Sequence, residues 1–150
     1  MGVITGDRTV EIDAPIDEVF AIAADVPGAI AWQGSLKEVD VRSTNADGLA
    51  EEVETVNHTA VKSVRGILRF SYDAPTGISW EQLKGDAKSV SGSWTFEDLG
   101  GGRTRATYAL AVDPGRVLGL LMRGPVEHQV KNALLGDAAE GLKRFAETGA

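Results

Sequence analysis

The chain has 150 residues, of which 43% are hydrophobic and 25% charged, a composition typical of one globular domain rather than a disordered protein. It contains no cysteine, which excludes disulfide frameworks, thiol nucleophiles and thiolate metal sites. The formal net charge of −7 argues against nucleic acid as a partner, because a surface of this sign repels phosphates.

The N-terminal third predicts one strand followed by two short helices. Polar and apolar residues alternate over Arg8–Asp13, as expected for a half-buried strand. Pro15 ends that strand, and Asp17 lies where an acidic side chain favours the start of a helix. Pro27 is expected to end this helix, and a second short helical turn is expected over residues 29–33.

The middle of the chain predicts six further strands joined by tight turns. Asp47-Gly48, Pro75 and the triple glycine at 100–102 are residues typical of such turns. Tight turns join antiparallel neighbours, because parallel strands need a long crossover connection. The six strands are expected over Leu36–Thr44, Leu49–Thr59, Val61–Asp73, Gly77–Lys84, Lys88–Asp98 and Arg103–Asp113.

After Pro114 the apolar residues recur at intervals of three and four, which predicts a long amphipathic helix over Arg116–Glu147. Pro125 is expected to kink this helix or to divide it into two segments. No apolar run approaches the roughly 18 residues that a spanning helix needs, so we expect no stable membrane insertion. The first residues lack the pattern of a signal peptide, and we therefore expect a cytoplasmic protein.

This order of elements resembles the helix-grip fold of the START-like (SRPBCC) superfamily, in particular its polyketide cyclase/dehydrase and coenzyme-Q-binding branch. The residues that carry the resemblance are Val10–Phe20, Gly85–Phe96 and Gly101–Tyr108, followed by the C-terminal helix. The resemblance covers nearly the whole chain, so residues 1–150 are expected to form a single START-like ligand-binding domain. It implies an α+β fold in which a seven-stranded curved antiparallel sheet wraps around the long helix, enclosing a hydrophobic tunnel. It also implies that an aromatic residue after the first helix lies at the mouth of the tunnel, and Trp32 holds that position.

The period of two in the strands assigns aromatic side chains to the concave face of the sheet. Such side chains also fill ordinary cores, but Asn57 and Gln82 have the same phase, and inward amides need hydrogen-bond partners that a cavity can supply. Trp32 and the segment Leu118–Val126 are expected to form a movable lid. The candidate ligand-binding residues are Trp32, Asn57, Leu68, Phe70, Tyr72, Trp80, Gln82, Trp94 and Tyr108, with Leu118, Leu121, Met122, Val126 and Val130 on the helix.

The sequence does not indicate catalysis. His58 and His128 have positions expected at the surface, and no spacing matches a catalytic triad or a metal site, so no catalytic residue, metal ligand or cofactor is assigned. We expect a protein that binds and sequesters or carries a lipid, quinone or polyketide-like molecule, as a monomer or weak homodimer. The alternatives are an enzyme resembling a polyketide cyclase or aromatase, which would catalyse aldol cyclisation and dehydration, and a partner-binding domain with a collapsed cavity.

Overall fold

The computed structural model describes residues 3–59, 62–121 and 124–150, and within them seven strands form one antiparallel sheet. Their order across the sheet is β1-β7-β6-β5-β4-β3-β2, so the first two strands of the chain lie at opposite edges. The strands are β1 Ile4–Ile12, β2 Leu36–Thr44, β3 Ala50–His58, β4 Ser63–Asp73, β5 Gly77–Gly85, β6 Ser89–Gly100 and β7 Arg103–Asp113.

Helices occupy the two longer connections and the C-terminus. The helix α1 (Ile16–Ala24) and a 3₁₀ helix (Val26–Ala31) join β1 to β2, and α2 (Gly115–Leu121) precedes the long helix α3 (Pro125–Thr148). Proline is tolerated at the first position of a helix because its missing N–H has no partner there, and Pro125 accordingly begins α3. The predicted α+β helix-grip fold and the division of the C-terminal helix are confirmed. None of the described helices is long and apolar enough to span a membrane.

The main core joins the sheet to α1 and α3. Ile12, Val19 and Leu142, from β1, α1 and α3, have no exposed side-chain surface, and Phe96 is 2% exposed. Each such side chain contributes roughly 1.5–3 kcal/mol on transfer from water. The helix α3 contacts β1 and β7, so its packing covers one part of the concave face. The remaining strands keep a concave surface that is available for a cavity.

The structure differs from the sequence prediction at two element boundaries and in the register of one strand. The strand β1 begins at Ile4 rather than Arg8, because it pairs with β7 along its whole length from Ile4–Val112 to Ile12–Thr104. Pro27 lies inside the 3₁₀ helix instead of stopping α1, which ends at Ala24. In β5 the register with β4 shifts at Leu83, where a β-bulge inserts one extra residue into the strand.

Candidate functional site

A cavity of about 160 Å³ lies between the concave face of the sheet and the helices. Its described walls come from α1, the 3₁₀ helix, the strands β2 to β7 and the N-terminal half of α3. A void of this size is close to the roughly 150 Å³ of engineered protein cavities that bind benzene. The aromatic side chains of this face therefore do not fill the core completely.

An unbroken series of aromatic rings forms one wall of the cavity. All three tryptophans of the protein line it, together with Phe70 and Tyr108. The ring centroids of Phe70 and Trp80 are 5.5 Å apart, those of Trp80 and Tyr108 are 5.6 Å apart, and those of Trp94 and Tyr108 are 4.8 Å apart. Trp32 makes an edge contact with Trp94 at 6.2 Å. These offset and edge arrangements favour close packing of further aromatic rings.

Trp32 lies deeper than the position at the mouth of the tunnel that the resemblance implied. Its side chain is only 3% exposed, and its backbone carbonyl is packed against Gly141 in the middle of α3. Trp32 is therefore part of the buried inner wall rather than of an exposed rim. The tight junction between the 3₁₀ helix and α3 explains this position.

Polar side chains gather at the part of the cavity formed by β3 and the segment after the 3₁₀ helix. Thr55 and Asn57 share one phase of β3, Thr59 follows directly after the strand, and all three line the cavity. Ser35 Oγ donates a hydrogen bond to Asn57 Oδ1 at 3.4 Å. Gln33 also lines it and forms a side-chain hydrogen bond with the Tyr108 hydroxyl. Among the described residues that line the cavity, none carries a charge.

The Tyr108 hydroxyl is held in its neutral form. Burial raises the pKa of Tyr108 well above its ordinary value of 10, because the phenolate would lose its hydration, and the bond with Gln33 only partly opposes this. At any physiological pH this group is therefore a hydroxyl, which can donate one hydrogen bond and accept another. It is suited to an uncharged oxygen of a bound molecule.

Three predicted residues lie outside the cavity wall. The Tyr72 hydroxyl donates to the Ala50 carbonyl oxygen at 2.5 Å, and Gln82 Nε2 donates to the Ala87 carbonyl oxygen at 2.9 Å. Both side chains therefore form hydrogen bonds with the protein backbone. Val126 packs in a separate apolar cluster around Val130. The predicted residues that do line the cavity are Trp32, Asn57, Leu68, Phe70, Trp80, Trp94, Tyr108 and Val130. Met122 and the side chains of Leu118 and Leu121, which belong to the predicted lid, lie outside the described residues.

The sequence reasoning missed Gln33, Thr55 and Thr59. The two threonines have the same strand phase as Asn57 and could have been found from it. Gln33 follows a 3₁₀ helix, whose position over the sheet no local periodicity predicts. His58 and His128 are exposed, as expected, and neither faces the cavity.

The cavity extends toward one end of the sheet. Thr59, Ala87 and Pro114 belong to the β3–β4, β5–β6 and β7–α2 connections, which lie at the same end, and all three line the cavity. We call this end the cavity end. The β2–β3, β4–β5 and β6–β7 turns lie at the opposite end, and none of their described residues lines the cavity.

Comparison with known proteins gives a family and several similar folds. A family model described as "Polyketide cyclase / dehydrase and lipid transport" matches residues 4–148. No curated protein sequence matches the chain. A START superfamily protein from Mycobacterium smegmatis is 19% identical with a TM-score of 0.83, covering 97% of this chain and 99% of its own.

Two further solved structures have the same fold at similarly low identity. A protein from Thermus thermophilus is 20% identical with a TM-score of 0.79, and 97% of each chain is covered. The Zhui aromatase/cyclase from a Streptomyces species is 18% identical with a TM-score of 0.75, and 99% of each chain is covered. At these identities the similarity shows the fold alone.

Proposed function

The chain belongs to the polyketide cyclase/dehydrase and lipid transport family, and from that premise we propose that it binds and carries an uncharged hydrophobic small molecule. The molecule would be of lipid, quinone or polyketide-like type and would lie between the sheet and α3. The observation that carries the proposal is the partly empty cavity, with its aromatic wall and its small group of polar side chains. Ligand sites of this composition are usual for apolar molecules, since a few polar groups orient what the apolar wall binds.

The chemistry of the wall narrows the class of ligand. The described lining offers no cation for a carboxylate and no acid for an amine, and a buried charge without a partner is strongly unfavourable. Tyr108, Gln33 and Asn57 offer hydrogen bonds to a hydroxyl or carbonyl oxygen. Removing ~200 Å² of apolar ligand surface from water is worth roughly 5 kcal/mol before association costs.

Calorimetry with three naphthalene derivatives tests the class of ligand. We expect 1-naphthol to bind most tightly, naphthalene less tightly and 1-naphthoate not detectably, because only the first combines an apolar ring with a neutral hydroxyl. The three tryptophans all line the cavity, so quenching of their fluorescence provides an independent signal. Equal binding of all three compounds, or of the carboxylate alone, would contradict the proposal.

A pair of matched substitutions tests the location. Leu68→Trp places a larger side chain in the cavity wall, whereas Leu83→Trp makes the same change at a position that is 43% exposed. We expect the first to abolish binding of 1-naphthol and the second to leave the affinity within two-fold. Both proteins are compared by circular dichroism to verify that they fold. Unchanged affinity in Leu68→Trp would place the ligand elsewhere.

An enzyme that cyclises a polyketide is the second candidate, and the buried Tyr108 hydroxyl is the observation in its favour, because it could donate a hydrogen bond to a substrate carbonyl. Aldol chemistry also needs a base, and the described lining contains no group that titrates near neutral pH. Carrier function is therefore the better supported of the two. Turnover of a poly-β-ketone analogue that disappears in Tyr108→Phe would reverse this order. A cytoplasmic location, the lack of a nucleic-acid partner and a monomer or weak homodimer stay predictions.

A further inference from the structure

Exposed cations surround the cavity end of the sheet. Lys62 lies in the β3–β4 turn, Lys84 near the end of β5, Lys88 just before β6 and Arg116 in the first turn of α2, and all four are exposed. The β5–β6 turn lies directly beside α2, since the Lys88 side chain would contact a β-carbon on Gly115 at 3.4 Å. The four cations therefore lie on or directly beside the connections at the cavity end.

Two of the acids at this end are engaged in turn structure. Asp86 accepts a hydrogen bond from the Arg65 backbone N–H at 2.9 Å, and Asp113 accepts one from the Gly115 N–H at 3.0 Å. Asp113 is also within 4.0 Å of Lys88 Nζ, and Glu127 is a third acid, in the first turn of α3. On these connections and helix ends the four cations thus outnumber the three acids, although the whole chain has a net charge of −7.

The opposite end has the reverse charge. Asp47 lies in the β2–β3 turn, Asp73 is the last residue of β4, and Asp98 lies two residues before the end of β6. An 11-residue strand such as β4 spans roughly 36 Å, several times the Debye length of ~8 Å at physiological salt. Each end consequently acts as a separate electrostatic surface.

Exposed apolar side chains accompany the cations. Of the four exposed large hydrophobic residues in the described part of the chain, Val3, Leu83 and Leu120 belong to the cavity end, with 51%, 43% and 60% of their surfaces exposed. Val3 precedes Ile4, which pairs with Val112 beside that end, and Leu83 is next to Lys84. Single exposed apolar side chains are common on protein surfaces, but these three share the end of the sheet that carries the cations.

We propose that the cavity end docks on an anionic lipid bilayer. Interleaved lysines and apolar side chains match the two contributions to interfacial binding, attraction to acidic headgroups and burial at the acyl boundary. An acidic protein would satisfy the charges, but lysine is depleted at protein–protein interfaces and three of the four cations are lysines. Acidic headgroups repel the aspartates whenever the opposite end approaches the bilayer. This repulsion disfavours the reverse orientation and leaves the cavity facing the bilayer. Docking supports the proposed carrier function by placing the cavity at the source of an apolar ligand, but it does not require bound ligand.

Flotation of the ligand-free full chain with vesicles tests the proposal. We expect binding to phosphatidylcholine vesicles that contain about 30% phosphatidylserine, and at least ten-fold weaker binding to pure phosphatidylcholine. Each lysine near an anionic surface contributes about five-fold in the partition coefficient, so Lys84→Gln with Lys88→Gln should reduce binding about 25-fold. Leu120→Ser, which changes no charge, should also reduce it several-fold.

The matched control changes the net charge equally at the other end. Thr44→Glu with Ala46→Glu adds two negative charges at exposed positions beside the β2–β3 turn, and binding should remain within two-fold of the unaltered chain. Equal loss in both double variants would mean that only net charge matters, and would overturn the proposal. So would binding to an acidic polypeptide without binding to anionic vesicles. The lysine and glutamate double variants should bind 1-naphthol normally, so a failure of docking is distinguished from a failure of the proposed function.

Discussion

The backbone carbonyl of Trp32 packs directly on Gly141, so closely that a β-carbon on this glycine would overlap the carbonyl oxygen and lie 3.0 Å from the carbonyl carbon. The 3₁₀ helix and α3 therefore meet backbone to backbone. This contact holds Trp32 against Trp94 and determines the shape of one wall of the cavity.

Replacement of Gly141 by alanine should destabilise the protein. Alanine gains about 1 kcal/mol in helix propensity, but the overlap with a backbone atom forces α3 and the 3₁₀ helix apart, at a cost of roughly 1–3 kcal/mol and often more. The control is Gly136→Ala in the same helix, where the nearest atom lies at 3.5 Å, in ordinary contact. We expect a lower Tm for Gly141→Ala and an equal or higher Tm for Gly136→Ala. The reverse order would refute the packing argument.

Substitution of the two tyrosines should affect different properties, namely ligand affinity for Tyr108 and stability for Tyr72. Tyr108→Phe should weaken binding of 1-naphthol about three- to ten-fold and leave naphthalene unaffected, because one neutral hydrogen bond is worth about 0.5–1.5 kcal/mol. Tyr72→Phe removes the bond to Ala50, outside the cavity wall, and should lower the free energy of unfolding by about 1 kcal/mol without changing either affinity. Calorimetry and denaturant unfolding measure the two effects. Equal weakening of 1-naphthol by both variants would contradict the assignment of Tyr108.

Gly92 controls the position of the Trp80 ring. A β-carbon on Gly92 would overlap the indole, so Gly92→Ala should displace the ring into the cavity and weaken 1-naphthol binding ten-fold or more. Gly77→Ala, at the start of β5, is the control, since its nearest neighbour lies at 3.7 Å. Tryptophan fluorescence should change only in the first variant. Normal affinity in Gly92→Ala would indicate that the Trp80 ring does not limit the space.

Tyrosine ionisation should reveal the burial of both rings. Burial raises the pKa of Tyr72 to about 12, and that of Tyr108 still further, from the ordinary value of 10. The folded state thus holds these protons more tightly than the unfolded state. The corresponding stability is complete below pH ~10 and is lost as the pH rises through the folded values. Tyrosinate absorbance should therefore appear about two pH units later in the native protein than in guanidinium, and coincident titrations would disprove the burial.

Strand phase and turn chemistry carried most of the fold prediction. Alternation in β4, β6 and β7 placed Phe70, Trp94 and Tyr108 correctly on the inner face, because a period of two leaves only two choices and one of them buries aromatic surface. The same rule gave Tyr72 and Gln82 the correct face but not their roles. The bond from Tyr72 to Ala50 depends on the neighbouring strand β3, and the bond from Gln82 to Ala87 depends on how the β5–β6 turn folds.

By itself, the sequence determined the seven strands, their antiparallel pairing, the division of the C-terminal helix and the side of the sheet that carries the aromatic rings. These features follow from local periodicity and from the special backbone conformations of proline and glycine. Both depend on residues that are neighbours in the sequence and not on distant ones. Tertiary structure alone decided that Trp32 is buried in the cavity wall, that Gln33 reaches Tyr108 and that about 160 Å³ stays empty. Those outcomes depend on distances between segments that are far apart in the sequence. Close packing between such segments cannot be predicted from the local pattern of hydrophobic and polar residues.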